Sequence, residues 1–199
     1  MLNRDGLGRA VAIQGEPCKD GCSEFQTTMP TANISPLVVA ELQRQLNQEL
    51  AAAHSYQALS IWCAGQNLRG FAGFFAKQAG EEREHAEKII DHLIDRGVVP
   101  DLAELARPKQ DFDLLLEVAQ WAQTMEQANT KGINAVYEAA AAAKDYPAQV
   151  LMHWFIAEQV EEEAWVAELV ARVDDATCAG SLSALDRHSE ELLGRKKPD

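Results

Sequence analysis

From Pro36 onward the chain alternates apolar and polar positions with helical periods, and stepping by four and three residues traces a continuous inward stripe on each of four segments. The first stripe runs Leu42, Leu46, Glu49, Ala53, Tyr56, Ser60, Cys63, and the second Phe71, Phe75, Gln78, Glu82, His85, Ile89, His92. The third runs Leu115, Ala119, Ala122, Glu126, Asn129, Ile133, Val136, Ala140, and the fourth Met152, Phe155, Gln159, Glu162, Val166, Leu169, Val173. Punctuation places the ends. Ser35 can cap a first helix with Pro36 in its first turn, running to about Ala64. A turn over Gly65–Gly70 leads to a second helix from about Gly70 to Arg96, stopped by Gly97 and Pro100. A third is expected from about Asp111 to Lys144. A break at Asp145–Pro147 precedes a fourth from about Pro147 to Val173, and Ser181 can cap a short fifth helix, Leu182 to Leu193.

Connection lengths then fix the topology. The two short turns make helices one and two, and three and four, antiparallel pairs. The middle link of about 14 residues reaches roughly 46–50 Å when extended, enough to travel a 27-residue helix of about 40 Å. The expected fold is all-α: a four-helix bundle with one long crossover connection and a short fifth C-terminal helix. Residues 1–34 carry Gly, Pro, Thr and charge without a period and read as a flexible N-terminal extension; 35–195 form the domain and 196–199 a tail.

Each stripe is broken near its middle by an acid. An unpaired carboxylate in a core is costly enough that it normally neutralises or finds a partner. Counted from the helix ends, Glu49, Glu82, Glu126 and Glu162 lie at levels that agree within about one turn. The same spacing of 77 positions separates Glu49 from Glu126, Glu82 from Gln159 and His85 from Glu162, so the two hairpins present matching polar sets. Glu82 and His85 are three apart and share a helix face. A solitary Glu-x-x-His is a weak signal. Here four acids and one His meet at one level with no Lys or Arg on the stripes, so a bound cation, rather than an ion-pair network, supplies the missing charge. Oxygen ligands with one His suit iron or manganese, and the arrangement is the di-iron carboxylate pattern of helical bundles.

Composition narrows the alternatives. A formal charge of −13 over 199 residues disfavours nucleic-acid binding. No apolar run reaches the roughly 18–20 residues of a membrane span, and Met1 to Glu16 lack the apolar core of a secretory signal, so a cytoplasmic location is expected. Cys18 and Cys22 form a C-x3-C pair compatible with a disulfide, a metal clip or chance; alone they cannot complete a tetrahedral zinc site. Cys63, beside Ile61 and Trp62, reads as a buried inert thiol.

Over about Ile34 to Leu193 the sequence resembles the ferritins, specifically the bacterial non-haem type. The blocks that carry the likeness are Asn47-Gln48-Glu49-Leu50 with Tyr56, Glu81-Glu82-Arg83-Glu84-His85-Ala86, Glu126, and Ala157 through Glu163. The resemblance implies a ferroxidase that oxidises Fe(II) with dioxygen at a di-iron centre within each subunit. Glu49 and His85 would hold the first iron, Glu82 would bridge, Glu126 and Glu162 would hold the second, and Gln159 would sit on the oxygen-binding side. Tyr56 would supply an electron, although a packed core tyrosine fits its position equally. Glu81, Glu158 and Glu161, with Glu162 shared, match a third iron site; a solvated acidic face is the plainer alternative. The family also implies ferric mineral stored in a hollow homo-oligomeric shell of 24 subunits. Arg83 after the bridging Glu, and Gln159 with Glu162 in place of a second Glu-x-x-His, depart from the haem-containing bacterioferritins, so no haem is expected. Rival readings are a di-iron oxidase or peroxidase without storage and a structural shell without redox chemistry. The paired C-x-x-C motifs of rubrerythrin-like peroxidases are absent.

Overall fold

Four long helices carry the four stripes. In the computed structural model, which describes residues 33–189, α1 spans Pro36–Gly65, α2 Arg69–Asp95, α3 Leu115–Ala142 and α4 Tyr146–Ala179, with a short α5 at Leu182–Arg187. Helices α1 and α2 pack together, as do α3 and α4, and α1 also packs on α3. One end of the bundle gathers the end of α1, the starts of α2 and α3 and the end of α4; the other end gathers their opposites. Helices α2 and α3 therefore run parallel, and residues 96–114 make the long crossover. The expected N-terminal extension with Cys18 and Cys22, the C-terminal tail and any continuation of α5 toward Leu193 lie outside the described residues.

The crossover is tied to α1 by side chains that satisfy its backbone. Gln43 Oε1 accepts from Asp101 N–H at 2.9 Å and Asn47 Oδ1 from Ala103 N–H at 2.7 Å, while Asn47 Nδ2 donates to Asp101 O at 3.1 Å. Farther along, Trp62 Nε1 donates to Phe112 O at 3.1 Å. A link without secondary structure has no ladder of its own, and these side chains give its backbone fixed partners on α1.

Helix ends differ from expectation at several points, each with a local cause. Helix α3 begins at Leu115 rather than Asp111, because Phe112 is drawn into the core with its ring edge-on to Trp62 at 6.0 Å. Glu117 then reaches back to accept Asp113 N–H at 2.9 Å, satisfying an amide that the helix start leaves over. Helix α4 continues past Val173 because Ala176 extends its buried stripe; it stops where Gly180 turns left-handed at φ 66°. Ser35 and Ser181 occupy cap positions without a side-chain cap bond. The capping residue that does act is Asp145, whose Oδ1 accepts from Ala148 N–H at 3.1 Å. The same carboxylate takes both ends of the Arg96 guanidinium, at 2.9 and 3.0 Å, and Arg96 also donates to Asn33 O. One salt-bridged cap thus binds the end of α2, the start of α4 and the entry to α1.

Every stripe position is buried except His92, which is half-buried because Leu93 takes the inward place. A strict seven-residue pattern drifts against 3.6 residues per turn, so slippage appears toward helix ends. The core falls into two apolar clusters. One is centred on Tyr56, Phe71, Phe75, Phe112 and Leu169; the other, at the opposite end, on Leu42, Leu46, Ile89, Ile133 and Phe155. Each fully buried Leu or Phe contributes roughly 1.5–3 kcal/mol. Between the clusters lies a layer of buried Glu, Gln, Asn and His.

At the first end α5 docks on the start of α2. Asp186 Oδ1 accepts Phe71 N–H at 3.0 Å, placing a carboxylate at the positive end of a helix it does not belong to. Gly70 permits the approach, since a Cβ there would lie 1.8 Å from Asp186 O. Burial, and then the nearby Asp186 charge, push the Cys63 thiol up to about 12, in keeping with an inert core cysteine.

Replacing Asp145 with Ala removes a cap and strands a half-buried guanidinium. The expected loss is about 2 kcal/mol, read as a lower Tm and urea midpoint. Glu168→Ala breaks an exposed pair with Arg172 and should cost under about 0.5 kcal/mol. Equal effects of the two substitutions would show that the Arg96–Asp145 junction does not hold the bundle end.

Candidate metal centre

The polar layer is built by helical register. Glu49 on α1, Glu82 and His85 on α2, Glu126 on α3, and Gln159 and Glu162 on α4 all occupy stripe positions, so the packing that buries Leu46 or Ile89 turns these side chains inward too. All six are buried, as is Tyr56. Glu49, Glu82 and His85 each offer a ligand atom, and these atoms lie within 4.8 Å of one another, close enough to share one ion. His85 Nδ1 stands 3.3 Å from Glu82 Oε2, and its ring is flanked edge-on by Trp154 and Phe155 at 5.5 and 5.8 Å.

The other acids are linked through hydrogen-bond donors. Tyr56 donates its hydroxyl to Glu126 Oε1, and Gln159 Nε2 donates to Glu126 Oε2 at 2.9 Å and to Glu126 O at 3.1 Å. Glu162 Oε2 accepts from Gln78 Nε2 at 3.2 Å and from Trp165 Nε1. Glu49 accepts from Gln45 Nε2 at 2.7 Å and from Asn129 Nδ2 at 3.2 Å. Three carboxylates therefore have two neutral donors each. The fourth, Glu82, lies among them with no amide, phenol or indole donor, its neighbours being Glu49 and His85.

Charge accumulates here without relief. Burial, and then the neighbouring Glu82 carboxylate, hold Glu49 well above its ordinary value of 4.5. Glu82 is raised by burial and then by Glu126. Burial also raises Glu126, with the Tyr56 and Gln159 hydrogen bonds opposing it. The Tyr56 hydroxyl is pushed well up by burial and by the charges of Glu126 and Glu82, so it stays protonated and donating. Among the described residues no Lys or Arg is buried. Such a site takes up protons or a multivalent cation, and the ligand types favour a hard or borderline metal.

Three further acids singled out by sequence lie beside this layer. Glu81 and Glu158 are half-buried and Glu161 is exposed; Glu81 pairs with Lys77 at 3.6 Å. Sequence reasoning missed Gln45 and Trp165 as partners of the acids. Gln45 lies one turn before Glu49 and Trp165 three residues after Glu162, spacings at which helical side chains meet.

Comparison with known proteins follows this geometry. The family model of the ferritin-like domain matches residues 39–176. A protein of Staphylococcus aureus named bacterial non-heme ferritin is 38% identical over 131 residues, 66% of this chain and 79% of that protein. The bacterial non-heme ferritin of Staphylococcus epidermidis is likewise 38% identical over 131 residues. Among solved structures, an open pore ferritin from the hyperthermophilic archaeon Archaeoglobus fulgidus aligns with a TM-score of 0.77 at 31% identity, covering 83% of this chain and all of that one. No described helix is long and apolar enough to cross a membrane.

The raised carboxyls set a pH dependence. Glu49, Glu82 and Glu126 stabilise the fold while protonated; that contribution is complete below 4.5 and is lost as pH rises through their folded-state values. The Tm of metal-free protein should therefore fall as pH is raised above 4.5. Glu82→Gln should flatten the slope, and saturating Zn(II) should reverse it by displacing the protons. A parental slope retained by Glu82→Gln would show that the carboxyl layer does not set it.

Proposed function

The chain belongs to the ferritin family, and on that premise we propose that it oxidises Fe(II) with dioxygen at a di-iron centre inside each subunit and stores the ferric product as mineral in a hollow shell of 24 subunits. The observation that carries the reading is the pattern of donors around the four acids. Glu49, Glu126 and Glu162 are each oriented by two neutral groups outside the ligand set, while Glu82 between them meets only its fellow ligand candidates Glu49 and His85. An acid that bridges two metals needs both oxygens for them, whereas acids that bind at the flanks gain from being aimed.

In this reading Fe(II) is the substrate. Glu49 and His85 bind the first ion, Glu82 bridges, and Glu126 and Glu162 bind the second, with Gln159 facing the side where dioxygen enters. Two Fe(II) each give one electron, so one dioxygen takes two electrons and two protons from water and leaves as hydrogen peroxide, with two Fe(III) formed. The carboxylates offset the charge gained by the metal, in a site whose dipoles are already oriented. Tyr56 can add an electron from beside the centre, and its hydroxyl already points its proton at Glu126 Oε1, which can receive it. Glu81, Glu158 and Glu161, with Glu162 shared, form a third iron site beside the layer, where exposure rises from Glu162 to Glu161. A cytoplasmic protein without haem is part of the same proposal.

Glu49→Ala and His85→Ala should each slow aerobic Fe(II) oxidation at least about tenfold, followed by the appearance of ferric absorbance after rapid mixing. Parental rates in both variants would refute the assignment of these ligands. Electron microscopy of aerobically iron-loaded protein tests storage separately: the expected particles are closed shells with dense cores, and small bundles without mineral would overturn the storage role.

A further inference from the structure

We infer that Gln45 and Asn129 are positioning residues that hold the Glu49 carboxylate in its metal-ready orientation, and that Gly132 keeps the space in which Gln45 does so. The inference rests on the proposed metal role of Glu49.

Gln45 precedes Glu49 by one turn of α1 and donates to its Oε1 at 2.7 Å; Asn129, on α3, donates to its Oε2 at 3.2 Å. All three side chains are buried, so neither amide can be replaced by water without reorganising the layer. The two donors come from two helices and fix the carboxylate about both of its oxygens. Asn129 is itself held: Gln48 Nε2 donates to Asn129 Oδ1 at 2.9 Å, which turns the Asn129 amide nitrogen toward Glu49. Arg44 then holds Gln48 Oε1 at 3.1 Å and the Gly132 carbonyl at 3.0 Å. A chain of donors thus runs from a surface guanidinium to an oxygen of Glu49.

Gly132 leaves open the space that the Gln45 amide occupies. Helix α1 approaches α3 so closely there that a Cβ on Gly132 would stand 2.0 Å from Gln45 Oε1. The obstructed atom is the end of a flexible side chain, so Ala at this position is accommodated by moving the Gln45 amide rather than the backbone. Glycine inside a helix is disfavoured relative to Ala. Its presence at this contact matches a need for Gln45 to stay where it is. Outer partners of metal ligands commonly affect affinity by about 10–100-fold.

The test measures anaerobic Co(II) binding to the metal-free assembled protein, by calorimetry and by the visible absorbance of the bound ion, with Tm recorded for each variant. Gln45→Met keeps size and removes the donor. Gly132→Ala keeps every polar group, displaces Gln45 and presses on Gln48 Oε1, which would lie 3.1 Å from the added Cβ. Both should weaken the first Co(II) at least about fivefold and alter its absorbance envelope, while Gly132→Ala keeps a Tm at or above the parental one. Parental affinity and absorbance in both variants, with Glu49→Gln weakened, would overturn the positioning role alone. If Glu49→Gln also bound Co(II) like the parent, the metal assignment of Glu49 would fall as well.

Discussion

Four carboxylates share the middle layer of this bundle with one imidazole, no cationic side chain is buried among the described residues, and the rest of the architecture accommodates that charge. Bringing one ionised carboxylate out of water costs several kcal/mol even after relaxation, and proximity adds mutual repulsion at each further acid. Protonation relieves part of it, which is why burial drives Glu49, Glu82 and Glu126 upward together. A cation relieves the rest.

The surroundings are arranged to bear this load. Apolar clusters close both ends of the layer, one built on aromatic residues and the other mainly on aliphatic ones. Each end is then fastened by a carboxylate at a helix start: Asp186 on α2, Asp145 on α4. The crossover lies along α1 on Gln43, Asn47 and Trp62, which meet the backbone of Asp101, Ala103 and Phe112 and so hold the link that lets α2 and α3 run parallel. These contacts keep four helices at fixed heights. Convergence of acids from four separate segments depends on those heights, since one turn of slippage moves a side chain by about 5.4 Å.

Much of this was legible in the sequence because the acids contradict their setting. An apolar stripe broken by Glu at the same level in four segments has few explanations, and link length alone decides the crossover. What sequence hid was compatible with more than one setting. Gln45 lies off the stripe formed by Leu42, Leu46 and Glu49, and a neutral amide suits a surface as well as a core. Trp165 reads as apolar filling, although its N–H is what Glu162 uses. Phe112 reads as the beginning of a helix, because nothing local reveals that Trp62 will hold its carbonyl. Asp145 stood in plain view before Pro147, but its guanidinium partner is far away in sequence on α2.

The donors that orient these acids are neutral for a physical reason. Arginine or lysine beside Glu49, Glu126 or Glu162 would orient those carboxylates with stronger, charge-assisted bonds. It would also neutralise them, and a site already neutral has little affinity left for a divalent ion. Amides, a phenol and an indole direct the oxygens while leaving the negative charge in place. Cations are found only at the margin, as with Lys77 on Glu81 and Arg44 acting through Gln48. A bundle selected for stability alone has no reason to separate orientation from charge compensation in this way. One that must accept and release a metal does: donors that stay neutral allow the site to be shaped before the ion arrives and to regain its charge after the ion has left.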